Sequence, residues 1–236
     1  MTVKVPAWKK LIPRNALAVL EQPQGRGTPV KRMREVAVFF VDIEGCTRLC
    51  EDLPPQEMNG IKETYFSEYL DIVRAAGGEV TEVLGDGLLA LFEGPGIRDN
   101  VRAALTAARQ IQARTAELNR RRRRRHDPIT VNIGLNAGPA LTGFTRLRGR
   151  SGERWVYAAT GPVTNVAARL AALATNGRAF TTKATADLLG CDCRPIGPQP
   201  LKNASGPVEV VEVLPVKSAV RGRPPRRDVA HGTAEP

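Results

Sequence analysis

The sequence is poor in aromatic residues and has no long apolar run. Phe, Trp and Tyr make up only 5% of its 236 residues, too few for a surface on which nucleic-acid bases stack. No apolar stretch approaches the roughly 20 residues that cross a bilayer, and the basic N-terminal segment lacks the apolar core of a secretion signal. These absences argue against a membrane protein and against nucleic-acid binding as the main function, and they predict a cytoplasmic protein.

Cysteine is also scarce. The chain has four cysteines, Cys46, Cys50, Cys191 and Cys193, and their CxxxC and CxC spacings match no common zinc signature. A chain of this length can bury a sizeable core without a disulfide framework. We therefore expect free thiols in a reducing compartment.

Acidic residues are outnumbered by basic ones, 24 against 35, which gives a formal net charge of +11. Such a charge invites a nucleic-acid interpretation. The basic residues, however, concentrate in two places that look like solvated connections: the six arginines at 120–125 and the arginine- and proline-rich segment after Lys217. A basic protein equally suits an anionic small-molecule substrate such as a nucleoside triphosphate.

Composition divides the chain into three parts. Residues 1–34 mix proline, glycine and basic residues and predict an N-terminal basic arm with at most one helical turn. Residues 35–216 carry the regular hydrophobic patterns of one folded domain. Residues 217–236 are basic and proline-rich, which predicts a disordered tail.

The order of elements within the domain predicts its fold class. A buried strand at 37–41 precedes a helix that starts at Pro54-Pro55 and ends at Gly77-Gly78. Strands at 79–83 and 88–92 flank a tight turn, and an alanine-rich helix covers 100–118. Further strands are predicted at 129–137, 154–159, 179–182 and 208–214, with a helix at 165–174. This order predicts an α+β, ferredoxin-like fold with an antiparallel-rich sheet and helices packed on it.

Two aspartates fall where strands end or turn. Asp42 closes the first strand in FFVDIEGCTRL, and Asp86 lies in the turn LGDG. Separately, each has an ordinary explanation, a cap for Asp42 and a hairpin turn for Asp86. In a ferredoxin-like sheet, however, the first strand is central and the hairpin pairs beside it, so the two carboxylates can meet. Adjacent carboxylates repel unless a cation lies between them, which predicts a divalent-metal site.

Five sequence blocks resemble the catalytic domain of the class III nucleotidyl cyclases, the adenylyl and guanylyl cyclases. They span residues 36–213 and are, in order, FFVDIEGCTRL, EVLGDGLLALF, VNIGLNAGPALTG, VYAATGPVTNVAARL and the more degenerate LKNASGPVEVVEV. The resemblance implies conversion of a nucleoside triphosphate into a 3′,5′-cyclic nucleotide and pyrophosphate.

The resemblance also implies which residues hold metal and phosphate. Asp42, Asp86 and the Ile43 carbonyl would hold two divalent ions, Mg²⁺ or Mn²⁺. The residues that would approach the triphosphate of the bound substrate are those of the following turn, Gly45, Cys46 and Thr47.

Three further positions match the family's transition-state and phosphate residues. Asn165 would orient the ribose and Arg169 would stabilise charge on the α-phosphate, and four-residue spacing places them on one face of a helix. Lys202 would bind the triphosphate. Without the resemblance, Arg169 and Lys202 would be interpreted as ordinary surface residues.

The family builds its site across a head-to-tail homodimer. One subunit supplies the metal ligands, and the other supplies the base-reading residues with the asparagine, arginine and lysine. Because this chain carries both sets, the resemblance implies a symmetric homodimer with two composite sites. The segment 138–154, rich in glycine and arginine, matches the arm that reaches over the partner.

The base-reading positions depart from the adenylyl pattern. Where adenylyl cyclases have a lysine and an aspartate or threonine, this chain has Glu82 and Ala158. An ionised glutamate only accepts hydrogen bonds, so it suits uracil N3–H, guanine N1–H or the cytosine amino group. Guanylyl cyclases share the glutamate but add a cysteine at the second position. Cys46 stands where the family usually has an aromatic residue.

This pocket resembles that of the pyrimidine cyclases of Pycsar antiphage defence. We therefore expect a stand-alone cyclase that makes cyclic UMP, or else cyclic CMP, as an alarm signal. GTP or ATP as the substrate is the alternative. Two other classes compete with an enzyme: a catalytically silent nucleotide-binding module, whose usual sign is loss of a metal aspartate or of the arginine, and a nucleic-acid binder acting through residues 120–125.

Overall fold

A computed structural model of the chain describes residues 12–14, 16, 17, 21, 31–122, 127–190, 193–202 and 204–215. The strands in this part of the chain are β1 (Arg32–Ile43), β2 (Glu79–Leu84), β3 (Gly87–Phe92), β4 (Val131–Gly149), β5 (Gly152–Thr160), β6 (Ala179–Thr182), β7 (Cys193–Gln199) and β8 (Val208–Val213). The helices are α1 (Cys46–Asp52), α2 (Pro55–Ala75), α3 (Ile97–Arg121), α4 (Pro162–Leu173) and α5 (Lys183–Asp187).

The strands form one mixed sheet. Their order is β2-β3-β1-β4-β6-β8-β7, and β5 pairs with β4 beside this path. All pairs are antiparallel except β4 with β6. The prediction of an α+β fold with an antiparallel-rich sheet is confirmed, and β1 occupies the central position that the ferredoxin-like order requires.

Alternation along β1 separates two cores. Ala37, Phe39, Val41 and Ile43 belong to the larger cluster, which α2 and α3 also line. Val36 and Val38 belong to a second cluster, which includes Val163 and Ala167 of α4. Because successive side chains of a strand point to opposite faces, Asp42 lies on the α4 side of the sheet.

Local sequence explains the ends of α2. Pro54 precedes the helix and Pro55 is its first residue, a position where no backbone N–H is needed. At the other end, Gly77 adopts φ 85° and the Gly78 N–H donates to the Val73 carbonyl at 2.9 Å. This left-handed glycine stop is the one that Gly77-Gly78 predicted.

The longest strand, β4, has 19 residues and pairs with two different strands along one of its edges. Its first half pairs with β6 over residues 133–135, and its second half pairs with β5 over residues 141–149. Beyond Thr142, the register partner of Arg32 at the start of β1, β4 and β5 continue as a two-stranded hairpin. The predicted arm at 138–154 is therefore β-structure, interrupted only by the turn at residues 150–151.

Several features differ from the sequence interpretation. The helices α1 and α5 and the strand β7 were not predicted, and β1 starts at Arg32, inside the predicted arm. A helical turn does lie in that arm, since the Leu17 N–H donates to the Pro13 carbonyl at 2.9 Å. The expectation of free thiols holds for Cys46 and Cys50 but is wrong for Cys193, which is disulfide-bonded.

Two further predictions concern the ends of the chain and the membrane. The predicted tail at 217–236 lies outside the described residues, and its boundaries stay predictions. Among the helices of the described part, none is both long and apolar enough to span a bilayer.

Candidate active site

The carboxylate pair lies where the ends of β1 and β3 meet. Asp42 is in register with Gly87, the first residue of β3. The turn that holds Asp86 is fastened to the following residue of β1, because the Ile43 N–H donates to the Asp86 carbonyl at 3.1 Å. A Cβ at Gly87 would lie 3.0 Å from the Val41 carbonyl oxygen, so glycine permits the close approach. The structure therefore brings Asp42 and Asp86 together.

The electrostatics of the pair favour a bound cation. Burial, and then the charge of Asp86, raises the pKa of Asp42 from 3.8 to about 6. Both causes disfavour the ionised carboxylate, and a cation between the two groups would remove the repulsion.

The available ligands fit Mg²⁺ or Mn²⁺ if the bound substrate supplies the remaining coordination positions. Within the described ranges, no cluster of three or more His, Cys, Asp or Glu side chains could hold a metal. Mg²⁺, however, is commonly bound by one or two carboxylates, with water and substrate phosphates filling the remaining positions. Asp42, Asp86 and the Ile43 carbonyl therefore remain candidate ligands.

The turn after Asp42 leads into α1. Gly45 adopts φ 67°, a left-handed conformation that glycine takes without strain, and both Gly45 and Thr47 are exposed. The Cys46 side chain is buried in the larger core, with its Sγ 3.9 Å from that of Cys50. Burial, followed by the contact with Cys50, raises the pKa of the Cys46 thiol to about 12. Any contact of Cys46 with a phosphate would thus come from its backbone.

Glu44 connects this turn to the loop that follows α4. Its carboxylate accepts a hydrogen bond from the Asn176 N–H at 2.8 Å, while its own N–H donates to the Thr130 carbonyl at 2.9 Å. Asn176 has φ 57°, which is uncommon for a residue other than glycine. Sequence reasoning missed this contact because its partners are 132 residues apart.

The other half of the predicted site lies on α4. Val163, Ala167, Leu170 and Ala171 are buried on the sheet side of this helix. Asn165 and Arg169 are exposed and both project from the opposite face; their four-residue spacing predicted that they would share a face. Because the sheet carries Asp42, α4 points Asn165 and Arg169 away from the carboxylates of their own chain.

The remaining predicted residues lie on three other elements. Glu82 is half-buried on β2, directly after the irregularity in its pairing with β3. Ala158 is half-buried on β5, opposite Gly143. Lys202 is exposed in the connection from β7 to β8. Glu82 and Asp86 thus share one hairpin, whereas Lys202 lies toward the other end of the sheet.

Gly134 of β4 is a second residue that sequence reasoning passed over. A Cβ there would lie 2.1 Å from the Ala171 nitrogen and 2.2 Å from the Ala167 oxygen. The backbone of α4 therefore rests directly on β4. A glycine inside a strand is a general sign of such an approach, but the sequence does not say which element approaches.

Comparison with known proteins gives one family. Residues 28–212 match the family of the adenylate and guanylate cyclase catalytic domain. Adenylate cyclase 1 of Rhizobium meliloti (strain 1021) is 27% identical over 196 residues, which are 79% of this chain and 28% of that protein. The chain thus spans about a quarter of the length of the curated relatives it matches.

Solved structures show the same fold. The adenylyl cyclase CyaB from P. aeruginosa superposes with a TM-score of 0.73 at 24% identity, covering 80% of this chain and 98% of that one. The guanylyl cyclase Cya2 superposes with a TM-score of 0.69 at 24% identity, covering 81% of this chain and 97% of that one.

Proposed function

Because the chain belongs to the adenylate and guanylate cyclase catalytic domain family, we propose that it converts a nucleoside triphosphate into a 3′,5′-cyclic nucleotide and pyrophosphate. The observation that carries the proposal is the carboxylate pair, Asp42 with its raised pKa beside Asp86. The cyclase domain is assigned to residues 35–216, between the arm and the tail.

The reaction is an in-line displacement. The ribose 3′-oxygen forms a bond to the α-phosphorus, the bond from that phosphorus to the bridging β-phosphate oxygen breaks, and pyrophosphate leaves with the electron pair while the hydroxyl proton passes to water. Two bound Mg²⁺ or Mn²⁺ ions would activate the hydroxyl and neutralise phosphate charge. Asp42, Asp86 and the Ile43 carbonyl would hold those ions, and the backbone of Gly45, Cys46 and Thr47 would approach the triphosphate.

The transition-state residues are assigned to a second copy of the chain. Asn165 and Arg169 face away from the carboxylates of their own subunit, so they can complete a site only across an interface. Arg169 would neutralise charge on the α-phosphate, Asn165 would orient the ribose, and Lys202 would bind the triphosphate. A twofold dimer then contains two identical composite sites.

Exposed apolar side chains support such an interface. Val83 and Leu84, next to the Asp86 turn, are 63% and 49% exposed, and Leu147 on the β4–β5 hairpin is 54% exposed. A head-to-tail dimer would bury these positions, which lie at the two ends of the sheet.

We assign a pyrimidine as the base of the nucleoside triphosphate substrate, with uracil preferred to cytosine. Glu82 offers a hydrogen-bond acceptor where uracil N3–H or the cytosine amino group can donate, and it offers no donor to adenine N1. Ala158 supplies no polar group for guanine O6. The proposed product, cyclic UMP or cyclic CMP, would serve as an antiphage alarm signal as in the Pycsar cyclases that the pocket resembles. GTP or ATP remains the alternative substrate.

The test is an incubation of the purified protein with each of the four nucleoside triphosphates and Mn²⁺, with the cyclic product identified by mass. Asp42→Ala and Arg169→Ala should each be inactive alone. Mixed in equal amounts with subunit exchange, they should recover about a quarter of the wild-type activity, because half of the dimers carry one intact site. Absence of any cyclic product would overturn the proposed function. Product without recovery in the mixture would place the whole site within one chain.

A further inference from the structure

We propose that Gly134 is a positioning residue for the half of the site that carries Asn165 and Arg169. This inference rests on the proposed function. Gly134 touches neither substrate nor metal in the proposal. It fixes how closely α4 lies on the sheet and thereby how far its outward residues reach toward the partner.

The contact at Gly134 is unusually close, and it is made by backbone. A Cβ at this position would lie 2.1 Å from the Ala171 nitrogen, 2.2 Å from the Ala167 oxygen and 2.8 Å from the Ala171 Cα. At Gly78, by comparison, the Cβ would meet the Phe92 ring at 2.5 Å, which is a side chain that can rotate. Backbone atoms in the middle of a helix cannot turn away, so an added Cβ must move a whole element.

The element that must move is the helix. At Gly134, β4 is paired on both edges, with Phe40 of β1 and with Phe180 of β6. The helix is held to the sheet by one face only, and its opposite face is exposed. Ordinary van der Waals contact begins at 3.4 Å, so a Cβ at Gly134 would lift α4 by about 1 Å, a displacement that can cost about a hundredfold in rate when it misplaces a reacting group.

The displacement acts on one half-site only. Asn165 and Arg169 lie within the same two turns of α4 as Ala167 and Ala171, so they move with the contact. Asp42 and Asp86 are held by pairing between β1 and β3 and by the Ile43–Asp86 hydrogen bond. Gly134→Ala should therefore damage the helix half of the site and spare the carboxylate half.

Mixing of variant subunits distinguishes selective damage to the helix half of the site from a general loss of stability. Gly134→Ala alone should lower kcat about a hundredfold. Mixed with Asp42→Ala, it should recover about a quarter of the wild-type activity, because one site then joins intact carboxylates with an undisplaced α4. Mixed with Arg169→Ala, it should recover almost nothing, because both variants damage the same half. Gly60→Ala is the matched control, since a Cβ on that α2 glycine meets nothing within 4 Å and activity should stay unchanged.

Further variants keep the inference falsifiable. Ala171→Val crowds the same gap from the helix side and should repeat the mixing pattern. The inference would be overturned if Gly134→Ala kept near wild-type turnover. It would also be overturned if a mixture of Gly134→Ala with Arg169→Ala recovered activity, or if a mixture with Asp42→Ala did not. Failure of both Gly134→Ala and Ala171→Val to fold would overturn it as well. If Asp42→Ala and Arg169→Ala fail to recover activity with each other despite subunit exchange, the composite site itself is wrong, which is a separate result.

Discussion

Asp42→Asn should stabilise the metal-free protein while abolishing its activity. In the absence of a cation, the folded state holds a half-buried carboxylate next to a second one, and both effects raise the pKa of Asp42 from 3.8 to about 6. Asparagine keeps the shape and removes the charge. This carboxylate, which we propose as a metal ligand, therefore destabilises the folded state when no cation is bound, as is common for functional residues.

The effect of the Asp42 charge on the free energy of unfolding, and the direction of its pH dependence, follow from the linkage between proton binding and folding. A pKa that rises to about 6 from 3.8 corresponds to about 3 kcal/mol of destabilisation at neutral pH if it is fully expressed. Asp42 is partly open to solvent, so screening reduces this to about 1–2 kcal/mol. Because the folded state binds the proton more tightly than the unfolded state, stability falls as pH rises from about 4 to about 6 and is constant above that window.

The assay is urea unfolding in EDTA at pH 8 and at pH 4.5. At pH 8, Asp42→Asn should raise the free energy of unfolding by about 1–2 kcal/mol, or the melting temperature by roughly 2–8 °C. At pH 4.5 the gain should shrink to about a third. Added Mg²⁺ should stabilise the wild type and not the variant. Asp71→Asn, at an exposed carboxylate on α2, is the control and should change little. A variant that is less stable than the wild type in EDTA at pH 8 would refute the electrostatic account.

Two other substitutions test the base pocket and the sheet. Glu82→Ala should lose the preference for UTP over ATP more than it loses metal-dependent turnover. The reason is that a wrong base would no longer face an unpaired carboxylate, which is a difference of about 1–3 kcal/mol. The measurement is kcat/KM for the four triphosphates in both proteins, and unchanged ratios would contradict the prediction. Asn100→Ala should cost about 2 kcal/mol of stability, because the buried Asn100 amide binds Gly94 N–H at 2.6 Å and the Glu35 carbonyl at 2.9 Å. Urea unfolding beside Asn59→Ala, an exposed asparagine, checks it, and equal losses in the two variants would argue against the buried contacts.

The sequence predicts the central part of the fold because its signals there are local. The apolar run of β1, the proline start and glycine stop of α2 and the LGDG turn each act within a few residues. The strand β7 was missed because its sequence CRPIGPQ contains two prolines, which are compatible only with an edge strand, and β7 indeed pairs with β8 alone. The strand predicted at 129–137 is longer in the structure, where β4 continues through Gly138 and Pro139 to Gly149.

The candidate site divides in the same way. Asp42, Asp86, Asn165 and Arg169 stand in the blocks that resemble the cyclase family, so the resemblance could propose them as site residues without coordinates. Two other features depend on which elements meet in space. These are the contact of Glu44 with Asn176 and the packing of the α4 backbone against Gly134. No periodicity within one element reports such a meeting, so these residues emerge only from the packing.

The strict alternation along β1 makes this strand intolerant of insertions and deletions. Asp42 and Ile43 face opposite sides of the sheet, and β1 is paired with β3 and β4 at the same residues. A single-residue deletion upstream in β1 would exchange the two faces, directing a carboxylate into the apolar core and an isoleucine toward the proposed metal site. The tip of the β4–β5 hairpin, between Gly149 and Gly152, carries no such constraint. Length variation among natural relatives should therefore accumulate at that tip and be absent from β1.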